Sequence, residues 1–100
     1  MLEKNIEQKL TVMVKKAGGI AVKFVSPSFA GIPDRLLLLP DGLIAFVELK
    51  APGKCPRPLQ EARHQLLRSL GFNVYVIDKP EQIGGMLDEL RATRLSDLRH

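Results

Sequence analysis

The 100-residue sequence contains one cysteine, Cys55, and no long apolar run. A single cysteine cannot form an internal disulfide, which agrees with a reducing compartment. No group of cysteines and histidines has the spacing of a zinc site, so we expect no structural zinc. The first residues, M-L-E-K-N-I-E, are too charged for a secretory signal, and no apolar run is long enough to span a membrane. The predicted location is therefore the cytoplasm.

Low-complexity tracts and internal repeats are also missing from the sequence. The chain is long enough for one hydrophobic core but not for two, so we predict a single domain over residues 1–91 and a polar, basic tail over residues 92–100. The net charge of +4 suits a polyanionic partner such as nucleic acid. Many basic proteins bind no nucleic acid, however, so charge alone does not decide the function.

The centre of the sequence holds two apolar runs, which are separated by the turn residues Pro40-Asp41-Gly42. This pattern predicts a β-hairpin with strands over residues 36–39 and 43–50. Both runs are apolar on both faces, which predicts central strands that are covered on two sides. Because side chains alternate along a strand, Glu48 and Lys50 should point to one face and Leu49 to the other.

The register of this hairpin predicts a pair of opposed carboxylates. If Leu39 faces Leu43 across the turn, Asp34 lies opposite Glu48. Directly opposed Cβ atoms are about 4.5–5.5 Å apart, and like charges at that distance destabilise a sheet. A divalent cation between the two acids would resolve the conflict, since Mg²⁺ is typically held by one or two carboxylates with water and phosphate. A bulge in the three-residue loop would shift the register by one residue.

The remaining sequence predicts three helices and two further strands. Helices are expected over residues 3–17, over residues 59–70 and after residue 80, and strands over residues 20–25 and 73–77. The last strand follows a strand and a helix, so it should pair in parallel. On the second helix we expect His64 on the surface and the following residues in the core: Leu59, Ala62, Leu66 and Leu70. The order αβββαβα predicts an α/β fold with a mixed sheet flanked by helices.

Asp34 followed by Glu48-Leu49-Lys50 on the next strand resembles the active-site motif of the PD-(D/E)xK nuclease superfamily. Three further features, namely G-I-P-D-R, F-V-E-L-K-A-P-G-K and a glutamine that opens the following helix, resemble the VRR-NUC family, especially its stand-alone phage and bacterial members. The resemblance spans about residues 6–77. It implies a restriction-endonuclease-like core, αβββαβ plus a C-terminal helix, in the cytoplasm of a bacterium or a phage-infected cell.

The resemblance also implies a set of site residues. Asp34, Glu48 and the Leu49 backbone carbonyl would bind Mg²⁺ or Mn²⁺, and Lys50 would orient or deprotonate the attacking water. Either Glu7 or Glu3, which lies one turn before it, would be a further acid at the site.

Gln60 would position Lys50 or the substrate. Basic and polar residues near the site are candidate DNA contacts: Lys23, Ser26, Arg35, Lys54 and Arg57.

Together these features predict a Mg²⁺- or Mn²⁺-dependent DNA endonuclease. The similarity of the family to Holliday-junction resolvases implies a homodimer that acts on branched DNA such as four-way junctions. One alternative is a general DNA nuclease without structure selectivity. The other is a non-catalytic DNA-binding or docking module that keeps the nuclease fold.

Overall fold

The computed structural model describes residues 3–98. Seven main elements follow one another along the chain: α1 (Glu3–Lys16), β1 (Ile20–Lys23), β2 (Arg35–Leu38), β3 (Ile44–Leu49), α2 (Pro58–Ser69), β4 (Asn73–Ile77) and α3 (Gln82–Leu98). This order confirms the predicted α/β class and the restriction-endonuclease-like arrangement. No helix in this part of the chain is both long and apolar enough to cross a membrane.

The sheet has the strand order β1-β2-β3-β4. The first three strands pair antiparallel, whereas β4 pairs with β3 in parallel, so the sheet is mixed as predicted. β4 can pair in parallel with β3 because α2, which connects the two strands, returns the chain to the edge of the sheet where β3 begins. The two strands of the predicted hairpin, β2 and β3, occupy the centre.

A tight turn fixes the register between β2 and β3. Asp41 (φ 64°) and Gly42 (φ 74°) adopt left-handed backbone conformations in this turn. The Leu39 N–H donates to the Leu43 carbonyl at 2.8 Å, and Arg35 pairs with Val47. This is the predicted register without a bulge, and it brings Asp34, the residue before β2, level with Glu48.

One face of the sheet is covered by α1 and α3. Ile6, Leu10 and Val14 form the buried stripe of α1, as the helical spacing predicts. They pack in one core cluster with residues from the sheet and from α3: Leu37, Ala45, Val47, Leu49, Ile77, Ile83, Met86, Leu87 and Leu90. Leu49 points into this core, so Glu48 and Lys50 point to the opposite face, where α2 lies.

The second face is covered only in part. Phe46, Leu67 and Val74 form a small core under α2. Ile20, Leu38 and Ile44, which share one rung across β1, β2 and β3, remain exposed. The prediction that the hairpin strands are covered on both sides is therefore wrong at their turn end, because the single helix α2 packs mainly against β4.

The buried face of α2 differs from the predicted one. His64 and Leu67 are buried, whereas all four residues that were predicted to face the core are exposed: Leu59, Ala62, Leu66 and Leu70. Two arginines hold the helix in this rotation. Arg63 donates to the Ala30 carbonyl at 2.8 Å, and Arg68 donates to the Val74 carbonyl at 3.0 Å.

Helix α3 continues to Leu98, through most of the segment that the sequence assigns to a tail. Arg99 and His100 lie outside the described residues. Near its start, α3 contains the pair Gly84-Gly85, which is unfavourable in a helix interior. A Cβ atom added at Gly85 would meet no atom of the described residues within 4 Å, and one at Gly84 would meet the Met13 side chain at an ordinary 3.7 Å.

We therefore expect Gly85→Ala to raise the free energy of unfolding by about 0.5–1 kcal/mol, since alanine restricts the unfolded chain and favours the helix. Gly19→Ala is the contrasting variant, because its Cβ would clash with the Leu38 carbonyl oxygen and would destabilise the fold. Urea unfolding of both variants measures the difference. A Gly85→Ala variant less stable than the wild type would contradict this interpretation of α3.

Candidate active site

Asp34 lies at the entrance to β2, directly after the buried Pro33. Its Oδ1 atom accepts a hydrogen bond from the Leu49 N–H at 3.1 Å. This bond joins the start of β2 to the end of β3 and holds the Asp34 carboxylate beside the Glu48-Leu49-Lys50 segment. The two parts of the predicted motif are therefore brought together.

Glu48 is only 3 % exposed, although it carries a carboxylate. Its Oε2 atom lies 3.8 Å from Lys50 Nζ, and its Oε1 atom lies 3.8 Å from His64 Nε2. Burial raises the pKa of Glu48 to about 7, the nearby Asp34 adds to the increase, and Lys50 opposes it. Among the side chains that the structure describes, none donates a hydrogen bond to Glu48 Oε1. The site thus keeps a buried carboxylate that is costly to ionise.

Lys50 follows β3 directly and continues its pairing with β4. Its backbone N–H donates to the Ile77 carbonyl at 3.0 Å. The backbone is thereby fixed, and the side chain extends on the same face as Glu48, as the alternation along the strand predicts. The ammonium group lies beside the carboxylate but is too far away for a hydrogen bond.

Arg35 connects the first helix to the site. Its guanidinium forms an ion pair with Glu7 at 2.9 Å and lies 3.5 Å from the Asp34 carboxylate. It also donates to the Asp34 backbone carbonyl at 2.9 Å. Arg35 is 8 % exposed, so these contacts favour a role in holding the acids over the predicted contact with a DNA phosphate.

The structure brings both candidate acids of α1 toward the site. Glu7 reaches it through Arg35, whereas Glu3 is exposed and contributes to the raised pKa of Glu48. Which of the two takes part in the chemistry stays open. The contact chain Glu7–Arg35–Asp34 gives Glu7 the more direct structural connection.

Gln60 has a structural task at the start of α2. Its Oε1 atom accepts a hydrogen bond from the Arg57 backbone N–H at 2.8 Å, and this caps the helix. The predicted role toward Lys50 or the substrate stays a prediction.

The other candidate DNA contacts are spread around the site. Lys54 and Arg57 are exposed on the loop between β3 and α2, and Lys23 is exposed on the edge strand β1. Ser26 is half-buried in the loop that follows β1. Their positions are compatible with contacts to a phosphate backbone, and these contacts stay predictions.

His64 is a site residue that the sequence analysis misses. It is fully buried beside Glu48, so the prediction that it lies on the surface is wrong. Burial lowers the pKa of His64, and the positive charge of Arg68 lowers it further. The only local signal is its spacing from Leu67, three residues later, because these two positions share the buried face of α2.

Comparisons with known proteins give a consistent result. No family model matches the chain. A phage protein named "Putative nuclease p44", from Acyrthosiphon pisum secondary endosymbiont phage 1, is 52 % identical over 79 residues, which cover 79 % of this chain and 85 % of the relative. A solved structure described as "VRR_NUC domain" superposes with a TM-score of 0.81 at 30 % identity, over 86 % of this chain and 94 % of that one. The chain belongs to the VRR-NUC family.

The VRR-NUC fold is generally metal-dependent, and the donor atoms of this site determine whether an ion fits it. Among the side chains that the structure describes, which end at residue 93, no cluster of three or more His, Cys, Asp or Glu is placed to hold a metal. Asp34 and Glu48 form a two-carboxylate set instead, which suits Mg²⁺ or Mn²⁺ completed by water and phosphate. The burial of Glu48 and the mutual repulsion of the two acids also fit a cation at this place.

The buried carboxylate predicts a pH-dependent stability for this VRR-NUC domain without metal. Between pH 4.5 and about 7, Glu48 is protonated in the folded protein but ionised in the unfolded chain. Stability is therefore lost as the pH rises through this range. We expect Glu48→Gln to match the wild type near pH 4.5 and to be more stable by about 1–3 kcal/mol at pH 8 in EDTA.

Thermal and urea unfolding over this pH range measure the effect. Glu81→Gln, which changes an exposed glutamate just before α3, is the control and should follow the wild-type pH profile. Equal stability of Glu48→Gln and wild type at pH 8 would contradict the raised pKa.

Proposed function

We propose that this VRR-NUC domain is a metal-dependent DNA endonuclease that hydrolyses phosphodiester bonds. The observation that carries the proposal is the convergence of Asp34, Glu48 and Lys50 at one end of the central hairpin, with Glu48 buried and in need of a cationic partner. The phage relative, which is named as a nuclease, supports the same conclusion. The cytoplasm of a bacterium or a phage-infected cell is the proposed location.

Each residue of the site has a separate proposed role in the reaction. Asp34, Glu48 and the Leu49 carbonyl are the proposed ligands of Mg²⁺ or Mn²⁺. When bound, such an ion lowers the pKa of water and offsets negative charge on the scissile phosphate. Lys50 holds a positive charge where negative charge grows in the transition state and can orient the attacking water. Arg35 keeps the Asp34 carboxylate in place.

The burial of Glu48 argues against a non-catalytic binding module. An exposed basic surface is sufficient to bind the DNA backbone, and it needs no buried acid. Removing a carboxylate from water without full pairing costs stability. In this chain the buried Glu48 lies beside a second acid, Asp34, and a lysine, Lys50. Such an arrangement is expected where the groups perform chemistry.

We further propose a homodimer that acts on branched DNA such as four-way junctions. Two copies related by a twofold axis present two active sites, which a cut in two strands requires. The exposed rung Ile20, Leu38 and Ile44 supports this assembly. Each residue of the rung lies on a neighbouring strand, so the rung forms a continuous apolar strip that a second copy could cover with its own rung.

The activity is tested with a labelled four-way junction and its matched linear duplex, in Mg²⁺, Mn²⁺ or EDTA. We expect metal-dependent cleavage of the junction and a loss of at least about 100-fold in Glu48→Ala and Lys50→Ala, with folding and DNA binding retained. Lys15→Ala is the matched control, since Lys15 is exposed in the last turn of α1 and should leave cleavage unchanged.

Each result of this experiment favours one of the three functions. Equal cleavage of both DNAs would support a nuclease without structure selectivity. DNA binding without cleavage in any metal would support the non-catalytic module. Unfolding of both variants, by contrast, would show that Glu48 and Lys50 are structural.

The dimer is tested by light scattering and sedimentation. We expect the wild type to be a dimer and Ile44→Glu to be a folded monomer, because two glutamates would meet in an apolar contact. Val12→Glu, which introduces the same charge at an exposed apolar position on α1, should remain a dimer. A monomeric wild type at all concentrations would contradict the proposed assembly.

A further inference from the structure

His64 and Glu48 are two buried polar residues with unmet hydrogen-bonding capacity that face each other. His64 is 0 % exposed, and in the described chain neither of its ring nitrogens has a hydrogen-bond partner. The Glu48 Oε1 atom also has none, and it lies 3.8 Å from His64 Nε2. A buried polar group without a partner destabilises a fold by about 1–3 kcal/mol. This pair therefore lowers the stability of the fold unless the two groups form a hydrogen bond with each other.

The position of His64 does not require a histidine for packing. Leu67, one turn further along the same face of α2, packs against Phe46 and Val74 with an apolar side chain alone. An apolar residue at position 64 would avoid the cost of burying two ring nitrogens. The histidine is therefore better explained by the carboxylate in front of it than by the core around it.

The two oxygens of Glu48 have different neighbours. Oε1 faces His64 on α2, and Oε2 faces Lys50 at the end of β3. A donor that fixes Oε1 would set the rotation of the whole carboxylate and leave Oε2 toward Lys50. Carboxylates that bind metals are usually oriented by such hydrogen bonds, and loss of the orienting residue typically weakens metal binding 10–100-fold.

The helix that carries His64 is anchored on both sides of this position. Arg63 donates to the Ala30 carbonyl and lies over the Phe29 ring, with 3.9 Å between its guanidinium carbon and the ring centroid. Arg68 donates to the Val74 carbonyl on β4. Both contacts stabilise the orientation of α2 in which His64 faces Glu48.

We propose that His64 is a positioning residue, whose Nε2–H donates to Glu48 Oε1 and orients the other oxygen of this carboxylate toward a divalent cation held with Asp34. The present separation is longer than a hydrogen bond, and contacts of this kind commonly shorten once the site is filled. The inference rests on the proposed function, because it requires that Glu48 binds an ion.

The test measures Mn²⁺ binding without DNA, by calorimetry and by the electron paramagnetic resonance signal of free Mn²⁺. We expect His64→Leu, which removes the donor at similar size, to weaken Mn²⁺ binding 10–100-fold. His64→Gln, which restores an N–H donor, should recover most of the affinity. Leu67→Ala is the control: it should lower the melting temperature but change the Mn²⁺ affinity less than twofold, because Leu67 belongs to the apolar cluster under α2.

The outcomes separate this inference from the proposed function. If the wild type binds Mn²⁺, Glu48→Ala does not, and folded His64→Leu binds like the wild type, the metal site stands and the positioning role is wrong. If the wild type binds no Mn²⁺, both are wrong. Affinity lost equally in His64→Leu and Leu67→Ala would also overturn the inference, because loss of packing would then explain it.

A measurement on the wild type keeps the inference testable if His64→Leu does not fold. Nitrogen NMR of the imidazole in Mg²⁺ should show the hydrogen on Nε2, with the His100→Gln variant used to assign the signals. A bare Nε2 with the hydrogen on Nδ1 would overturn the proposed contact.

Discussion

The pairing of β2 with β3 determines where Asp34 and Glu48, the two acids proposed to bind metal, lie. The three-residue turn closes without a bulge, so Asp34 lies level with Glu48, and the Leu49 N–H holds the Asp34 carboxylate. A shift of one residue would turn Glu48 into the apolar core and Leu49 out of it. The apolar core and the position of the acids are therefore fixed by the same register.

The two helices nearest the site stabilise it by different means. Helix α1 contributes charge, since Glu7 and Asp34 share the guanidinium of Arg35. Helix α2 contributes burial, since it covers Glu48 with His64 and excludes water from one carboxylate oxygen. As a result, Arg35 compensates the negative charge of Asp34, whereas no residue of the described chain fully compensates the charge of Glu48. This asymmetry makes Glu48 the group that depends most on a bound ion.

The sequence was sufficient for the fold and for the hairpin that carries the site. Turn chemistry, apolar runs and strand alternation are local properties, so they predicted the register, the opposed acids and the shared face of Glu48 and Lys50. The orientation of α2 is not local. Its leucines form a clear stripe at Leu59, Leu66 and Leu70, yet this stripe faces outward, and contacts from Arg63 to the remote Ala30 carbonyl and from Arg68 to the Val74 carbonyl on β4 accompany that rotation. The error about His64 follows directly from this rotation.

Burial of Arg35 was missed for a related reason. A basic residue beside a predicted active site suggests a contact with phosphate, and only the packing of α1 shows that Glu7 reaches it first. Pairs formed between distant elements are invisible to periodicity, because neither partner carries a local signature. The sequence therefore predicted that Asp34, Glu48 and Lys50 lie together but not which residues pack around them.

The placement of the site residues also has a consequence for the order of folding. Asp34 and Lys50 lie on a hairpin closed by three residues, so their strands can pair early, whereas β4 and α2 depend on the longer parallel crossover. The acids can thus meet while water still surrounds them, and the desolvation of Glu48 is deferred until α2 docks. Local opening of α2 in the native state would re-solvate this one carboxylate while leaving the hairpin paired.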